Sequence, residues 1–262
     1  MTGISTVQRL TADELHIAAP DDVMVISETR GGAIAAWALG DGLAFAAKDD
    51  YRGEACWLSV VGDPEVSPML VDAALADLGD QIAGVTVPRG VDLARWNADP
   101  APGHETDSDW DLMATWAPPP AQPAQLSLVI IALEDRPEVQ GFLDRVNPHH
   151  SVRADYEMVE QWAGVRDETS GALLAVGALT RRLSGVAYLA SIATDPVARG
   201  KGFGGAVTAA LTRIAFERGE RMCTLAHYHP NDSARRMYLR LGYQTTHRFS
   251  SGGLRQRSES SR

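Results

Sequence analysis

The sequence has only two cysteines, Cys56 and Cys223, and both stand in apolar runs. Two isolated thiols in such runs predict buried side chains rather than a disulfide or a metal site. Basic residues are also few, since 24 lysines and arginines against 34 acids give a formal net charge of −10. This charge argues against a nucleic-acid partner. The negative charge would attract a cationic or amine-bearing partner, and it would equally serve only to keep the protein in solution.

Long apolar runs are absent as well. No run approaches the roughly 18 residues of a membrane-spanning helix. The first twenty residues lack the basic region and apolar core of a secretory signal, so we expect no membrane association and a cytoplasmic location. Hydrophobic residues make up 45% of the 262 residues, which is enough for two globular domains.

A proline-rich stretch, PPPAQPA in residues 118–124, divides the chain. Such a stretch cannot be helical and predicts an extended linker. We expect one α/β domain in residues 1–117 and another in residues 125–250. Small polar residues predict a disordered tail in 251–262.

The second half alternates strand and helix patterns in the order β-α-α-β-β-β-α-β-α-β, which predicts an α/β fold. The second of these helices is expected in residues 151–161, with Ser151 as its cap. The strand that precedes the longest helix is expected in residues 186–194. The next strand is expected in 222–227 and the closing strand in 244–249.

A glycine-rich loop lies between the strand at 186–194 and the helix after it. Its residues are Arg199, Gly200, Lys201, Gly202, Phe203, Gly204 and Gly205. Glycines there let successive backbone N–H groups face one ligand, and the helix adds its positive end. The loop therefore predicts an anion site suited to a pyrophosphate.

Two other phosphate-binding loops do not fit this sequence. A Walker loop requires Lys and then Ser or Thr, where Gly205 and Ala206 stand. A Rossmann fingerprint requires a third glycine where Val207 stands.

The last predicted helix contains Asn231 and Tyr238, which are seven residues apart and so lie near one helical face. Asn231 is either a simple helix cap or an amide that also hydrogen-bonds a ligand. Tyr238 is either a half-buried aromatic residue or the acid that protonates a leaving thiolate.

Together these motifs resemble the GCN5-related N-acetyltransferase (GNAT) superfamily over roughly residues 125–249. The loop matches R-x-x-G-x-G, and the last helix matches N-x-S-A-x-x-x-Y-x-R-x-G-Y through residues that include Asn231, Ser233 and Tyr238. The resemblance implies a GNAT fold and acetyl-CoA as co-substrate. It places the pyrophosphate at residues 199–205, the pantetheine arm along Ile192 and Thr194, and Tyr238 near the sulfur.

One feature departs from the family pattern. Many GNAT enzymes have a glutamate in the strand before the loop as a general base, but residues 186–194 contain no carboxylate. His227 is a candidate base, although a histidine at a strand end is often structural. His149 and His150 are candidates for the acceptor site.

The first half resembles the second only faintly. A strand ended by Asp63-Pro64, then a helix and another strand, follow the order of the second half. The residues between Pro64 and the helix include no glycine and no basic residue. We interpret the first half as a degenerate, cofactor-free GNAT-like domain of a tandem protein; the pattern alone supports only a second α/β domain.

The sequence thus predicts an N-acetyltransferase in which an amine attacks acetyl-CoA directly, with Tyr238 assisting the thiolate. The alternative is a regulatory protein that binds acyl-CoA without turnover, which the missing carboxylate favours and Tyr238 opposes. Neither the amine acceptor nor the oligomeric state follows from the sequence.

Overall fold

The computed structural model describes residues 6–29, 32–48, 56–100, 108–120, 122, 128–131 and 135–255. The helices and strands of this part of the chain are β1 (Gln8–Leu10), α1 (Ala12–Ala18), α2 (Val23–Thr29), β2 (Ala35–Leu39), β3 (Gly42–Lys48), β4 (Cys56–Val61), α3 (Ser67–Leu78), β5 (Ile82–Pro88), β6 (Ala98–Pro100), β7 (Asp109–Thr115), β8 (Leu128–Ile131), α4 (Arg136–Val146), β9 (Val159–Arg166), β10 (Leu173–Arg181), β11 (Ala187–Thr194), α5 (Phe203–Glu217), β12 (Cys223–Tyr228), α6 (Asp232–Arg240) and β13 (Gln244–Leu254).

The chain forms two compact units. The first contains Met1–Leu112, Tyr228–Pro230 and Thr246–Arg262, and the second contains Met113–His227 and Asn231–Thr245. The last strand of the chain therefore contributes most of its length to the first unit, whereas the sequence assigned residues up to 250 to the second half.

In the first unit, strands β1 to β5 lie side by side in chain order. Neighbours are antiparallel except β4 and β5, which are parallel because α3 connects them. Leu70 and Val71 of α3 pack against Leu58, Val60 and Val85 of the sheet. The apolar faces of α3 and the strands thus form the core of this unit.

In the second unit, strands β8 to β12 show the same arrangement. Neighbours are antiparallel except β11 and β12, which are parallel and are connected by α5. Val207 and Leu211 of α5 belong to the core on one face of this sheet. Phe142 and Leu143 of α4 belong to the core on the other, together with Trp162. This mixed sheet with helices confirms the α/β prediction.

The helix expected in residues 151–161 is not formed. The segment 147–158, which joins α4 to β9, takes turns and irregular structure instead, and residues from Val159 onward pair with β10. Side chains distant in sequence satisfy its backbone: Gln140 accepts a hydrogen bond from the Ala154 N–H, and the Trp162 indole donates to the Ala154 carbonyl. Sheet pairing and these bonds outweigh the local helix signal.

The closing strand is longer than the sequence predicted. It continues past residue 249 to Leu254, and residues 249–253 pair with β5 of the first unit. The expected tail therefore does not begin at residue 251, because main-chain pairing orders the small residues there. Residues 256–262 lie outside the described part of the chain.

The proline-rich linker has no regular structure at residues 118–120 and 122, and its other positions lie outside the described residues. Arg213 of α5 donates two hydrogen bonds to the Pro119 carbonyl, at 3.1 and 3.0 Å. The proline stretch is thus held against α5 within the second unit.

Both cysteines are free and buried, which confirms that prediction. Burial raises the pKa of Cys56 to about 11 and that of Cys223 to about 12, so both thiols stay protonated at neutral pH. None of the helices in the described part of the chain is both long and apolar enough to span a membrane.

The packing of Trp57 on Gly84 gives a stability prediction. The two residues are paired across β4 and β5, and a methyl group at Gly84 would overlap the indole ring. We expect Gly84→Ala to lower the free energy of unfolding by about 1–3 kcal/mol, which is usual for overpacking. Urea unfolding followed by circular dichroism measures this.

Gly141→Ala is the matched control. Gly141 lies in α4 with open space around its Cβ position, so alanine should raise stability by about 0.5–1 kcal/mol through helix propensity. Equal unfolding free energies for Gly84→Ala and the wild type would contradict the packing argument.

Candidate active site

The candidate site is where β11 and β12 separate. Their parallel pairing runs from Ala187 with Cys223 to Leu189 with Leu225 and goes no further. Immediately beyond it, β11 has two residues, Ser191 and Ile192, opposite the one residue of β10 that lies between Val176 and Ala178. Two residues opposite one are a β-bulge, which bends the strand. The bulge coincides with the point where β11 leaves its partner.

A cleft of about 580 Å³ opens at this point, within the second unit. Its lining comes from the end of β11, the glycine-rich loop, the start of α5, one side of α6, the end of α4 and the linker. The lining residues are Gln122, Val146, Asn147, Ile192, Ala193, Thr194, Ala198, Arg199, Gly200, Gly202, Phe203, Gly204, Gly205, Asn231, Ser233, Ala234, Met237, Tyr238, Arg240 and Leu241.

The glycine-rich loop brings the first turn of α5 to the cleft. Gly200 and Gly202 have φ values of 79° and 83°, in the left-handed region that glycine adopts without strain. Gly202 is the N-cap, and no side chain caps the helix there. The first bond within the helix runs from the Ala206 N–H to the Gly202 carbonyl. The N–H groups of residues 203–205 therefore end at the cleft without an intrahelical partner.

The charged side chains that line the cleft are positive. Arg199 and Arg240 line it, and among its described lining residues there is no aspartate or glutamate. Together with the positive end of α5, this arrangement favours an anionic ligand.

Helix α6 provides the opposite wall. The Asn231 Oδ1 accepts the Ala234 N–H at 3.1 Å, so this residue does cap the helix. The Met237 side chain lies 3.5 Å from where a Cβ on Gly204 would stand. The start of α5 and the middle of α6 are therefore close together, as the glycines at 204 and 205 permit.

Tyr238 faces the cleft but is almost fully enclosed, with 5% of its surface exposed. Its ring centroid is 6.2 Å from that of His227 and 6.1 Å from that of Tyr243. Burial, with a smaller contribution from Tyr188, raises the pKa of the Tyr238 phenol far above its usual value. The hydroxyl thus keeps its proton at neutral pH and can act as a hydrogen-bond donor.

The structure brings most of the sequence-predicted site residues together. Lys201 and His227 are the exceptions, since neither lines the cleft among the described residues. Lys201 is exposed, and His227 is 5% exposed on β12. His149 and His150 do not line it either; the His150 Nδ1 lies 2.9 Å from the Asn147 carbonyl oxygen, a local contact of its own segment.

Sequence reasoning missed several lining residues, chiefly Asn147, Met237 and Arg240. Arg240 stood within the second motif and is one helical turn after Met237, so helical spacing could have indicated both. Asn147 follows the end of α4, and no local signal marks it.

Comparison with known proteins identifies the family of the chain. A family model described as the acetyltransferase (GNAT) family matches residues 92–243, more than half of the chain. The match begins before the linker, earlier than the sequence motifs indicated. No curated protein matches the sequence.

Solved structures show the same fold. A GCN5-related N-acetyltransferase from Sphaerobacter thermophilus is 17% identical, with a TM-score of 0.54 over 85% of this chain and 81% of that one. One from Kribbella flavida is 19% identical, with a TM-score of 0.52 over 94% and 97%. A GNAT-family protein from Novosphingobium aromaticivorans is 22% identical, with a TM-score of 0.53 over 84% and 91%.

The family match and the fold define an acyl-transferring class of α/β protein. The chain belongs to the GNAT acetyltransferase family and is a transferase. This result favours the enzyme over the non-catalytic regulator considered from the sequence.

The burial of Tyr238 gives a titration prediction. At about pH 10.5 an ordinary tyrosine is mostly ionised, but Tyr238 should remain a phenol. The folded wild type and Tyr238→Phe should therefore show equal tyrosinate absorbance at that pH. In denaturant the same pair should differ by one tyrosinate. Lower absorbance in the folded variant would contradict the burial argument.

Proposed function

We propose that the chain transfers the acetyl group of acetyl-CoA to the nitrogen of an amine. The observation that carries this proposal is the uncapped, glycine-flanked start of α5. It opens onto the same cleft as the unpaired end of β11 and the Tyr238 phenol.

The start of α5 fits a pyrophosphate. The N–H groups of residues 203–205 would donate to phosphate oxygens, and Arg199 would add formal positive charge. Arg240 would do the same from α6. A bulky side chain at Gly202 or Gly204 would stand between the backbone and such a ligand.

The end of β11 fits the amide-bearing pantetheine arm. Beyond Leu189 this strand is no longer paired with β12, and Ile192 and Thr194 line the cleft. An extended ligand with amide groups can hydrogen-bond to such an edge as an added strand does. Asn231 and Ser233 would face the arm from α6.

The reaction requires one proton donor and a neutral nucleophile. The amine nitrogen forms a bond to the thioester carbon and loses one proton to water or to a base, the carbon–sulfur bond breaks, and the sulfur leaves as a thiolate. Tyr238 lines the cleft and carries a phenol proton at neutral pH, so its hydroxyl would hydrogen-bond or protonate that thiolate. The described lining of the cleft has no carboxylate, so we propose that the acceptor attacks as a free amine. His227 does not itself line the cleft, so as the candidate base it would take the proton of the amine through water.

We also infer that the first unit is a degenerate, cofactor-free counterpart of the second. Each unit has antiparallel strands, then a helix, then a parallel strand (β4-α3-β5 and β11-α5-β12). The first unit has no glycine-rich loop before its helix, and Val66 at the N-cap of α3 lies so close to Gly42 that it would touch a Cβ there. We propose one acetyl-CoA site per chain, in residues 125–250.

The test of the function is a screen of acetyl-CoA turnover across a panel of small amines and peptides. Release of free thiol is the readout. Turnover that depends on both the amine and the chain supports the proposal, and tight acetyl-CoA binding without turnover on a broad panel contradicts it.

Gly202→Val should weaken acetyl-CoA binding. A β-branched residue is strained at this φ, and its side chain would displace two charge-assisted bonds worth about 3 kcal/mol, or about 100-fold in Kd. Isothermal calorimetry measures the affinity and should give one site per wild-type chain.

Gly171→Val is the matched control. Gly171 also has a positive φ, 73°, but it lies in the β9–β10 turn and does not line the cleft. This variant should lose stability without losing affinity. An unchanged Kd in Gly202→Val would remove the glycine-rich loop as the pyrophosphate site.

Tyr238→Phe should lower kcat by roughly 10²–10⁴-fold, the usual contribution of a general acid. Acetyl-CoA affinity should hardly change, because the ring remains. Steady-state kinetics with the best amine, together with calorimetry, measure both quantities.

Tyr243→Phe controls for loss of a buried phenol. The Tyr243 hydroxyl bonds to Thr212 and Cys223 inside the core, so its removal should cost about 1 kcal/mol of stability and leave kcat unchanged. If Tyr238→Phe also left kcat unchanged, Tyr238 would not be the acid.

A further inference from the structure

Ser191 stands at the bulge of β11 in an unusual conformation. Its φ is 50°, and in the described part of the chain only one other non-glycine residue, Asn97, has a positive φ. A serine in the left-handed region is strained relative to glycine, so surrounding contacts must hold it there. Its side chain provides such contacts.

The Ser191 hydroxyl binds the backbone of Val152 in both directions. It donates to the Val152 carbonyl at 2.9 Å and accepts from the Val152 N–H at 3.0 Å. Ser191 is 7% exposed and Val152 is 1% exposed, so water does not compete for these bonds. A single hydroxyl therefore satisfies two buried backbone groups that have no helix or strand to pair with.

Both segments joined by this contact lie next to residues that line the cleft. Val152 lies in the segment 147–158, which replaces the expected helix and whose first residue, Asn147, lines the cleft. Ser191 directly precedes residues 192–194, which line it from the other side. Movement of one segment would therefore be transmitted to the other through this contact.

We propose that Ser191 is a positioning residue for acetyl transfer: its hydroxyl clamps the segment 147–158 onto the bulge and so fixes the backbone of Ile192 and Thr194. The inference rests on the proposed function, because those two backbones are proposed to hold the acyl donor. Ser191 itself does not line the cleft among the described residues.

Two substitutions distinguish the effect of the hydroxyl from the effect of the backbone conformation. Ser191→Ala removes the clamp and keeps a Cβ at a positive φ, whereas Ser191→Gly removes the clamp and relieves the strain. If the clamp positions the cleft, both variants should weaken acetyl-CoA binding by about tenfold, as loss of two buried hydrogen bonds implies. Both should also lower kcat, by up to about 100-fold for a displacement near 1 Å.

Asn97→Gly is the matched control, since it relieves a positive φ in the other unit. It should leave the acetyl-CoA Kd and kcat at their wild-type values. A Ser191→Gly variant with wild-type Kd and kcat would overturn the proposal, because the positive φ alone would then be what the site needs.

Hydrogen exchange of the ligand-free chain tests the clamp separately from the function. In both Ser191 variants, amides in peptides covering 147–158 and 190–194 should exchange faster, while those of β4 and β5 stay as in the wild type. Unchanged exchange in 147–158 would overturn the clamp whatever the chain binds.

Faster exchange with unchanged Kd and kcat would overturn the positioning role and leave a purely structural contact. A wild-type chain without affinity for acetyl-CoA would contradict the proposed function, and the positioning role with it. That outcome is recognisable because the exchange difference between wild type and variants would still be present.

Discussion

The parallel pairing of β11 with β12 ends at Leu189 and Leu225, and the cleft depends on this ending. Had the two strands continued side by side, their backbone groups would bond to each other and no ligand could lie between them. The bulge at Ser191 and Ile192 turns β11 away while keeping it paired with β10 on its other edge. The unpaired edge that results carries backbone groups that need a partner, which a bound ligand can supply.

The position of α5 follows from the same constraint. Its core residues, such as Val207 and Leu211, pack on the sheet, while its first turn extends toward the opening between the strands. Because Gly204 and Gly205 have no side chains, Met237 of α6 can approach that turn closely. The helix end, the strand edge and α6 therefore converge on one volume.

The parts of the fold that could be predicted from the sequence are those that local patterns determine. Apolar periodicity and glycine determine β11, β12 and the loop before α5, and both strands lie within one residue of their expected bounds. The segment 151–158 could not be predicted this way, because its partners Gln140, Trp162 and Ser191 are 8 to 39 residues away in sequence. Each bond there depends on the finished sheet.

The end of the chain could not be predicted from local patterns either. Residues 250–253 read Ser-Ser-Gly-Gly, a composition typical of a tail. They are ordered by pairing with residues 84–87, more than 160 positions earlier in the chain. No periodicity within the segment carries that information, since the main chain makes the bonds.

The backbone segments of the candidate site were predicted better than the charged side chains that line it. The motifs named the loop and α6 because glycine spacing and a seven-residue separation have direct geometric consequences. They also gave a binding role to Lys201, which is exposed and does not line the cleft, and gave none to Arg240, which does line it. Both are long, flexible cations, and their direction depends on the packing around the loop rather than on its sequence.

The two units share the turn that follows the strand and differ in the residues between that turn and the helix. Each has an Asp-Pro pair after the strand, and in each the aspartate Oδ1 accepts an N–H two residues on: Asp63 from Glu65 at 2.9 Å, and Asp195 from Val197 at 3.1 Å. After this shared turn the paths differ.

In the first unit the helix begins at Ser67, three residues after Pro64 (67 − 64 = 3). In the second it begins at Phe203, seven residues after Pro196 (203 − 196 = 7). The four additional residues, 199–202, are Arg-Gly-Lys-Gly. In the second unit the N–H groups at the start of α5 face the cleft, whereas in the first unit Val66, the N-cap of α3, lies against Gly42 of β3. The four additional residues are thus the difference in sequence between a helix start that opens onto a cleft and one that directly follows a short turn.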